Sequence, residues 1–537
     1  VEKRRERQKG SDQPEWFVPG VVVKFRDFLN LPYIDGIEKV LIEKSADFKA
    51  AWSKLEEVAP EITMRRRFTV ANRKEIEELA HLAEKMDPDY EPPDFFSYFY
   101  VESPRRLDPA QLIEVLSPLA EIDLVYLDLP TEVPFACVRN LPPQMQYYGC
   151  QIHLKSAPQG IDAEASWIRQ GGDGGGRRSG QRLIDVEEGW TFDHNDLKSH
   201  QPRLLFGVIH DNWRDHGTKV LGVVCAAGNP AGCIGVAPHP KSVRAVSVWV
   251  QDPAAPQGMR KIPVAEAIWA VLRCMLPRRK VFPGDVLLIE QQAITTLDIQ
   301  NNQVSAGMPV EILPDTFILI QLATALGLVV VEPAGNGRQD GGGCNLDDFC
   351  YVVAEGWDIW RDYTHRPDAV RFVRSHIWLD GIGPERLKSS QVSGAIMVGA
   401  VSRDIPSSGG QPGFRRLLWS SIAIRSSNYG KRLDCFGVGE DIVTCTSNTS
   451  AAGFTTDTYT SDFGRTSGAS AIIAGLALTI QGIAQAAGGR LKPSKVRAIL
   501  GDWTTGTPVY GASQCGNVNQ QVGTMPDMKK IVSKYFP

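Results

Sequence analysis

Residues 182–197 run Arg182-Leu183-Ile184-Asp185-Val186-Glu187-Glu188-Gly189-Trp190-Thr191-Phe192-Asp193-His194-Asn195-Asp196-Leu197. Arg182 to Asp185 reads as an apolar strand that ends in a carboxylate, followed by Gly189-Trp190 and the polar Asp193 to Asp196. Strand patterns alternate with helical ones from about residue 160 onward. Strands are expected at Arg182–Asp185, Ser242–Val250, Asp285–Glu290, Leu328–Glu332 and Ile396–Val401. Helices are expected at Gly217–Ala227, Val264–Met275, Asp315–Leu326 and Ser467–Ala486. This alternation predicts a three-layer α/β unit, a mostly parallel sheet flanked by helices.

The first 130 residues read differently. Strands Val18–Phe25, Ile62–Val70, Phe96–Val101 and Ile122–Leu127 are interleaved with helices Phe48–Val58, Arg73–Met86 and Pro109–Leu119. A β-α-β-β-α-β order follows if the helix at Arg73 is one of the two main ones, a small α+β ferredoxin-like domain. The expected division is a charged tail at 1–16, this domain at 17–129, a proline-rich extended linker at 130–159 and the main unit at 160–537. The tail Val1–Gly10 has no apolar signal-peptide core, so a secretion signal is either absent or lies upstream.

Composition excludes several classes. There are 58 Lys+Arg against 62 Asp+Glu, a formal charge of −4, with no basic bias toward nucleic acid. With 43% hydrophobic and 22% charged residues, the chain can bury a sizeable core. Fifty glycines and 35 prolines argue for many loops and tight turns. The longest apolar region, Thr316 to Val331, is interrupted by Gln321, Thr324 and Gly327, so no membrane span is expected. Ten cysteines include three close pairs, 225/233, 344/350 and 435/445, each flanking a loop of the kind a local disulfide closes. Disulfides would place the protein in an oxidising compartment, secreted or similar; free thiols in a reduced cytoplasm are the alternative.

Three more segments place hydrolytic residue types at element ends: Asp215-His216-Gly217-Thr218 opening a helix, Pro333-Ala334-Gly335-Asn336-Gly337 after a Val-rich strand, and Thr466-Ser467-Gly468-Ala469-Ser470 opening another helix. A serine hydroxyl is a weak nucleophile that needs a base within hydrogen-bond reach. An imidazole supplies that base, and a buried carboxylate fixes its tautomer. A helix N-terminus and an Asn amide favour the developing oxyanion.

These segments, in the order Asp, His, Asn, Ser, resemble the subtilisin-like serine proteases (subtilases), in a divergent branch. Ser427-Asn428-Tyr429-Gly430 and Val398-Gly399-Ala400-Val401 add to the likeness, which covers residues 160 to 532. The resemblance implies Asp185, His216 and Ser467 as the triad and Asn336 as the oxyanion donor. It implies a serine endopeptidase acting on protein or peptide substrates through an acyl-enzyme on Ser467. It also implies that the N-terminal unit is a propeptide that inhibits the enzyme intramolecularly, with processing between Pro130 and Pro158. Arg177-Arg178, in the glycine loop Gly171–Gly180, is the competing cut.

The sequence departs from the family pattern in several places. Asp185-Val186-Glu187 replaces Asp-Thr-Gly, and Lys219 replaces a second histidine. Arg465 stands where glycine precedes Thr-Ser, Ala471 stands where proline follows, and Glu290-Gln291-Gln292 replaces Ser-Leu-Gly. These motivate the alternative reading, an inactive pseudoprotease serving as a binding or scaffold module. Glu290 and Glu332 follow strands that border the cleft in this family and are offered as substrate contacts favouring basic side chains; two buried or paired carboxylates is the competing reading. No cofactor is required. Asp196, near His194, Asp193 and Asp211, reads as a loop residue or, as in some relatives, a calcium ligand. The stretch Asn345–Gln391, with Trp357, Trp360, Tyr363 and Trp378, reads as a binding surface or an aromatic structural insert.

Overall fold

The strand quoted above runs two residues further than its apolar pattern suggests, to Glu187, because both neighbours continue to pair with it. The computed structural model describes residues 20–103, 107–133, 140–141, 146–176, 180–255, 257–276, 280–299, 302–338, 343–344, 346, 392–404, 413–416, 427–451, 453–508 and 522–537. The Arg177-Arg178 pair and nearly all of the stretch Asn345–Gln391 therefore lie outside the described residues.

At the N-terminus β1 (Gly20–Phe25), β2 (Thr63–Arg66), β3 (Tyr98–Glu102) and β4 (Ile122–Asp128) form an antiparallel sheet in the order β2-β3-β1-β4. Alternation divides β1 between two cores. Val21 and Val23 pack with helices Ala46–Val58 and Pro109–Leu116, through Phe48, Trp52, Leu112 and Leu116. Val22 faces the other way, toward helix Arg73–Met86. The sheet is ferredoxin-like, but the helix at Arg73 is not one of the two on its packed face. Ile76, Leu79 and Ala83 instead join a core shared with helices Val264–Arg273 and Pro314–Ala325 of the main unit. Its start is set by a capping box, with Asn72 Oδ1 accepting from Glu75 N and Glu75 Oε2 accepting from Asn72 N.

The main unit holds β5 (Arg182–Glu187), β6 (Arg203–Phe206), β7 (Ser242–Ser247), β8 (Val286–Ile289), β9 (Val329–Pro333), β10 (Ile396–Asp404), β11 (Gly413–Arg416) and β12 (Cys435–Val438). The order is β11-β10-β9-β8-β5-β7-β6, with β12 also beside β10. All pairings are parallel except β10 with β11. Leu183, Val286, Leu288, Val329 and Val331 point into the layer of helices Arg214–Cys225 and Arg465–Ala486. Ile184, Val186, Leu287, Ile289 and Val330 point into the opposite layer. The predicted three-layer α/β architecture is therefore present.

Helix Arg465–Ala486 is, by length and composition, apolar enough to cross a membrane, but it is buried between sheet and helices. The expected linker is not featureless. Strand Thr131–Glu132 adds to a hairpin of Gln292–Ile299 and Asn302–Pro309, and strand Asn140–Leu141 pairs with Thr458–Phe463. Gln151 is fully buried and exchanges hydrogen bonds with Ile234 through N–H at 2.9 Å and C=O at 2.8 Å.

Asp285 precedes β8 and is fully buried, accepting from the backbone N–H of Arg182 at 2.9 Å and Phe282 at 2.8 Å. Burial pushes its carboxyl up to about 6 from 3.8, with Arg182 opposing the rise. The folded state thus holds this proton more tightly than the unfolded chain, so the stabilisation is complete below about pH 4 and lost as the pH rises through about 6. Asp285→Asn is insensitive to this change. The stability difference, wild type minus variant, is expected to fall across that window and level off above it, as read by urea unfolding at each pH.

Candidate active site

Ser467 lies in the first turn of helix Arg465–Ala486, and His216 in the first turn of helix Arg214–Cys225. Their start points bring His216 Nε2 to 3.2 Å from Ser467 Oγ. On the other ring edge, Nδ1 meets Glu187 Oε2 at 2.6 Å. Glu187 Oε1 accepts from the Glu188 N–H at 2.8 Å, which fixes the carboxylate plane. The Phe463 ring packs edge-on to the imidazole at 5.8 Å. Ser467 and Glu187 have no exposed surface and His216 is nearly as buried.

The carboxylate that meets His216 is therefore Glu187 and not Asp185. Both point to the same face of β5, since side chains two apart share a face, but they are separated by about 6.6 Å along the strand. Asp185 sits that much deeper, and its Oδ2 accepts from Trp190 Nε1 at 2.7 Å. Burial, then the neighbouring Glu187, pushes the Asp185 carboxyl well above its usual range. Burial, then Glu188, does the same to Glu187, opposed by its backbone hydrogen bond and by Lys261. A sequence signal for Glu187 exists. Gly189 stands two residues after it, the spacing of the family's Asp-x-Gly, and a Cβ there would come within 2.4 Å of His210 O. Counting back from that glycine leads to the carboxylate that meets His216.

Asn336 follows β9 in a tight turn where Gly335 has φ +87°. Its Oδ1 accepts from Thr466 N at 3.1 Å and Thr466 Oγ1 at 2.8 Å, the residue before Ser467. Its backbone N–H donates to Gln292 Oε1 at 3.0 Å. The structure thus joins Ser467, His216 and Asn336 of the expected set.

The chain can be laid beside known structures at low identity. It is similar to fervidolysin from Fervidobacterium pennivorans, a keratinolytic enzyme related to subtilisin, at 14% identity and TM-score 0.47, over 87% of this chain. It spans about 60% of the length of that structure. It is similar to a protease from Pseudoalteromonas arctica at 16% identity and TM-score 0.42, over 73% of this chain and 98% of that one. It is also similar to the epidermin leader peptide processing serine protease of Staphylococcus aureus at 14% identity and TM-score 0.46, over 97% and 99% of the two chains. No family model and no curated protein matches the sequence.

Two residues that depart from the expected motifs, Lys219 and Arg465, differ in how they are accommodated. Lys219 is buried and its Nζ donates to Asp215 Oδ2 at 2.5 Å, one turn back. Arg465 takes φ +56°, a left-handed conformation in which glycine is free of Cβ strain and other residues are not. Glu290 and Glu332, offered as substrate contacts, are both fully buried. Glu290 Oε1 is hydrogen-bonded to Ser470 Oγ, one turn after Ser467. Glu332 lies against Glu311, which is gripped by Arg432 at 2.6 and 2.7 Å. Neither presents a carboxylate to solvent, so the preference for basic side chains loses its basis.

Asp196, read as a loop residue or a calcium ligand, is engaged by donors. Asp196 accepts from Asn229 Nδ2 at 2.9 Å, Cys233 N at 2.9 Å and Tyr459 OH at 3.2 Å. The groups converging with it are His194 and the Cys445 thiol, and Asp211 instead accepts from Arg214 Nε at 2.7 Å. Calcium takes six to eight oxygens, and N–H donors and a thiol do not fit it. Two of the three expected disulfides are also absent. Cys225, Cys233, Cys435 and Cys445 are separate buried thiols, and Cys350, the partner proposed for Cys344, lies outside the described residues. Sequence proximity brought these sulfurs near loops without aligning them as pairs, and an oxidising compartment loses that much of its support.

Proposed function

We propose that this protein is a subtilisin-like serine endopeptidase with a Ser467–His216–Glu187 relay. The observation that carries this reading is the continuous hydrogen-bonded chain from Ser467 Oγ through both imidazole nitrogens to Glu187. Ser467 Oγ attacks the scissile carbonyl as its proton passes to His216 Nε2. Glu187 holds the imidazole in the tautomer that leaves Nε2 free to accept, and its charge stabilises the imidazolium. The carbonyl oxygen becomes anionic near the positive end of helix Arg465–Ala486. Asn336 directs its amide nitrogen to that oxygen, because its Oδ1 is committed to Thr466. Collapse returns the proton to the leaving amine, and water then repeats the sequence on the acyl-enzyme.

A fluorophosphonate probe tests this directly. It should label the protein at Ser467, and Ser467→Ala should abolish labelling; labelling elsewhere, or none in folded protein, rejects the reading. The left-handed Arg465 beside the nucleophile favours the second reading, a pseudoprotease that binds without turnover. Hydrolysis of a denatured protein by wild type and its absence in Ser467→Ala separates the two.

In this reading the chain is a self-inhibited zymogen, residues 17–129 acting as the propeptide. The burial of Ser467 and His216 in the uncut chain supports it, as does strand Thr131–Glu132 lying beside Gln292. The processing cut falls between Pro130 and Pro158. N-terminal sequencing of active material should give a start in that interval that is missing from Ser467→Ala; a start after Arg178 points to another protease.

A further inference from the structure

We propose that Gln292 is a positioning residue of the oxyanion site, holding Asn336 in place through its backbone N–H. This rests on the endopeptidase reading and adds a support that the family pattern lacks, because that pattern has glycine where Gln292 stands.

The turn that carries Asn336 is held before and after it. Asn428 is fully buried, and its Nδ2 donates to Ala334 O at 2.7 Å and to Gly307 O at 2.8 Å. The Asn428 backbone N–H donates to Gly335 O at 3.2 Å. Beyond the turn, Gly337 and Arg338 pair antiparallel with Gly307 and Ala306 of strand Asn302–Pro309. Between these two holds, the N–H of Asn336 itself donates to Gln292 Oε1 at 3.0 Å.

A backbone N–H can only donate, so the carbonyl side of the Gln292 amide faces Asn336 and Nε2 faces away. Nε2 is used as well, donating to Glu132 Oε1 at 3.2 Å. The amide is buried, and the neighbouring strand is shaped to receive it. A Cβ on Gly307 would overlap Oε1, Cδ and Nε2 of Gln292. Gly307 lies in a strand opposite Ile294 and does not take a left-handed backbone, so room for this amide is what calls for glycine there. The slot and the two hydrogen bonds together hold Gln292 in one setting.

The consequence is catalytic because of what Asn336 does with its side chain. Its Oδ1 accepts from Thr466 N and Thr466 Oγ1, next to the nucleophile, while its main chain is held by Gln292. Fixed at both ends, the amide nitrogen has a defined place at which to meet the oxyanion. A donor set for the transition state loses much of its effect when displaced by about 1 Å.

The full-length chain is mixed with a p-nitrophenyl ester, and the acylation rate is read under single-turnover conditions. Gln292→Met keeps the length of the side chain and removes the acceptor. It should slow acylation by about 10- to 100-fold, the range for a misplaced rather than a deleted oxyanion donor. Gly307→Ala keeps the glutamine but crowds it out of its slot. It should act in the same direction, which preserves the test if Gln292→Met fails to fold. A double-mutant cycle separates positioning from a general structural role. In an Asn336→Ala background neither variant should slow acylation by more than about twofold, because the group they position is gone. A loss repeated in full in that background overturns this inference and leaves the endopeptidase reading standing. So does a folded Gln292→Met protein that acylates within about twofold of wild type. Absence of both ester hydrolysis and fluorophosphonate labelling in wild type overturns the endopeptidase reading and this inference with it.

Discussion

Glu187→Gln is expected to lower kcat by about 10⁴-fold, the typical loss when the orienting carboxylate of such a relay becomes an amide. The physical cause is specific to one contact. Glu187 Oε2 lies 2.6 Å from His216 Nδ1, and an amide there either offers an N–H to Nδ1 or loses the charge that stabilises the imidazolium. The Glu188 backbone bond survives the substitution, so the residue keeps its place. Asp185→Asn provides the contrast. Its partner is Trp190, an Asn oxygen can still accept from that indole, and burial already pushes the Asp185 carboxyl well above its usual range. Its effect on kcat should stay within about tenfold. Single-turnover rates with an ester substrate compare the two. A larger loss from Asp185→Asn than from Glu187→Gln would return the acid's role to Asp185.

Arg67→Met is expected to cost about 3–5 kcal/mol of stability, the usual result of stripping one partner from a buried ion pair. Arg67 reaches from the N-terminal sheet into the main unit, where its Nε donates to Asp315 Oδ2 at 2.6 Å. Its two terminal nitrogens clamp Asp128 at 2.9 and 2.8 Å. Asp315 has no exposed surface, so without Arg67 its charge is left in the interface with, among the described residues, the N–H and Oγ1 of Thr316 donating to it. The loss should fall on the contact between the two units. There Glu266 also accepts from Thr69 N, Thr69 Oγ1 and Val70 N, and Trp269 meets Phe68 and Phe95 edge-on. Denaturant unfolding should show an earlier transition for residues 20–128, and limited proteolysis should open that region first. Adding Asp315→Asn should recover part of the loss, because the stranded charge is then gone. Equal stability of Arg67→Met and wild type would mean that the interface does not depend on this pair.

The alternation of apolar strands and helices, and with it the layered α/β class, was legible from residues alone, because side-chain periodicity is a local property. So were Ser467, His216 and Asn336, each in a short segment whose glycines and flanking element mark where it must sit. The helix at Arg73 was legible as a helix, but its face was not: which core Ile76 and Leu79 join depends on a main unit hundreds of residues away. The same holds for the acid. Asp185 and Glu187 share one face of β5, and only the position of helix Arg214–Cys225 across the layer decides which of them the imidazole meets. The cysteine pairs and the carboxylates Glu290 and Glu332 were misread for this reason too, since proximity in sequence sets neither a sulfur–sulfur vector nor exposure to solvent. Lys261 Nζ donating to Thr131 O and Gln292 Nε2 donating to Glu132 Oε1 join residues far apart in the chain with no common sequence signal, and only the closing of the sheet and its hairpin brings them to one place.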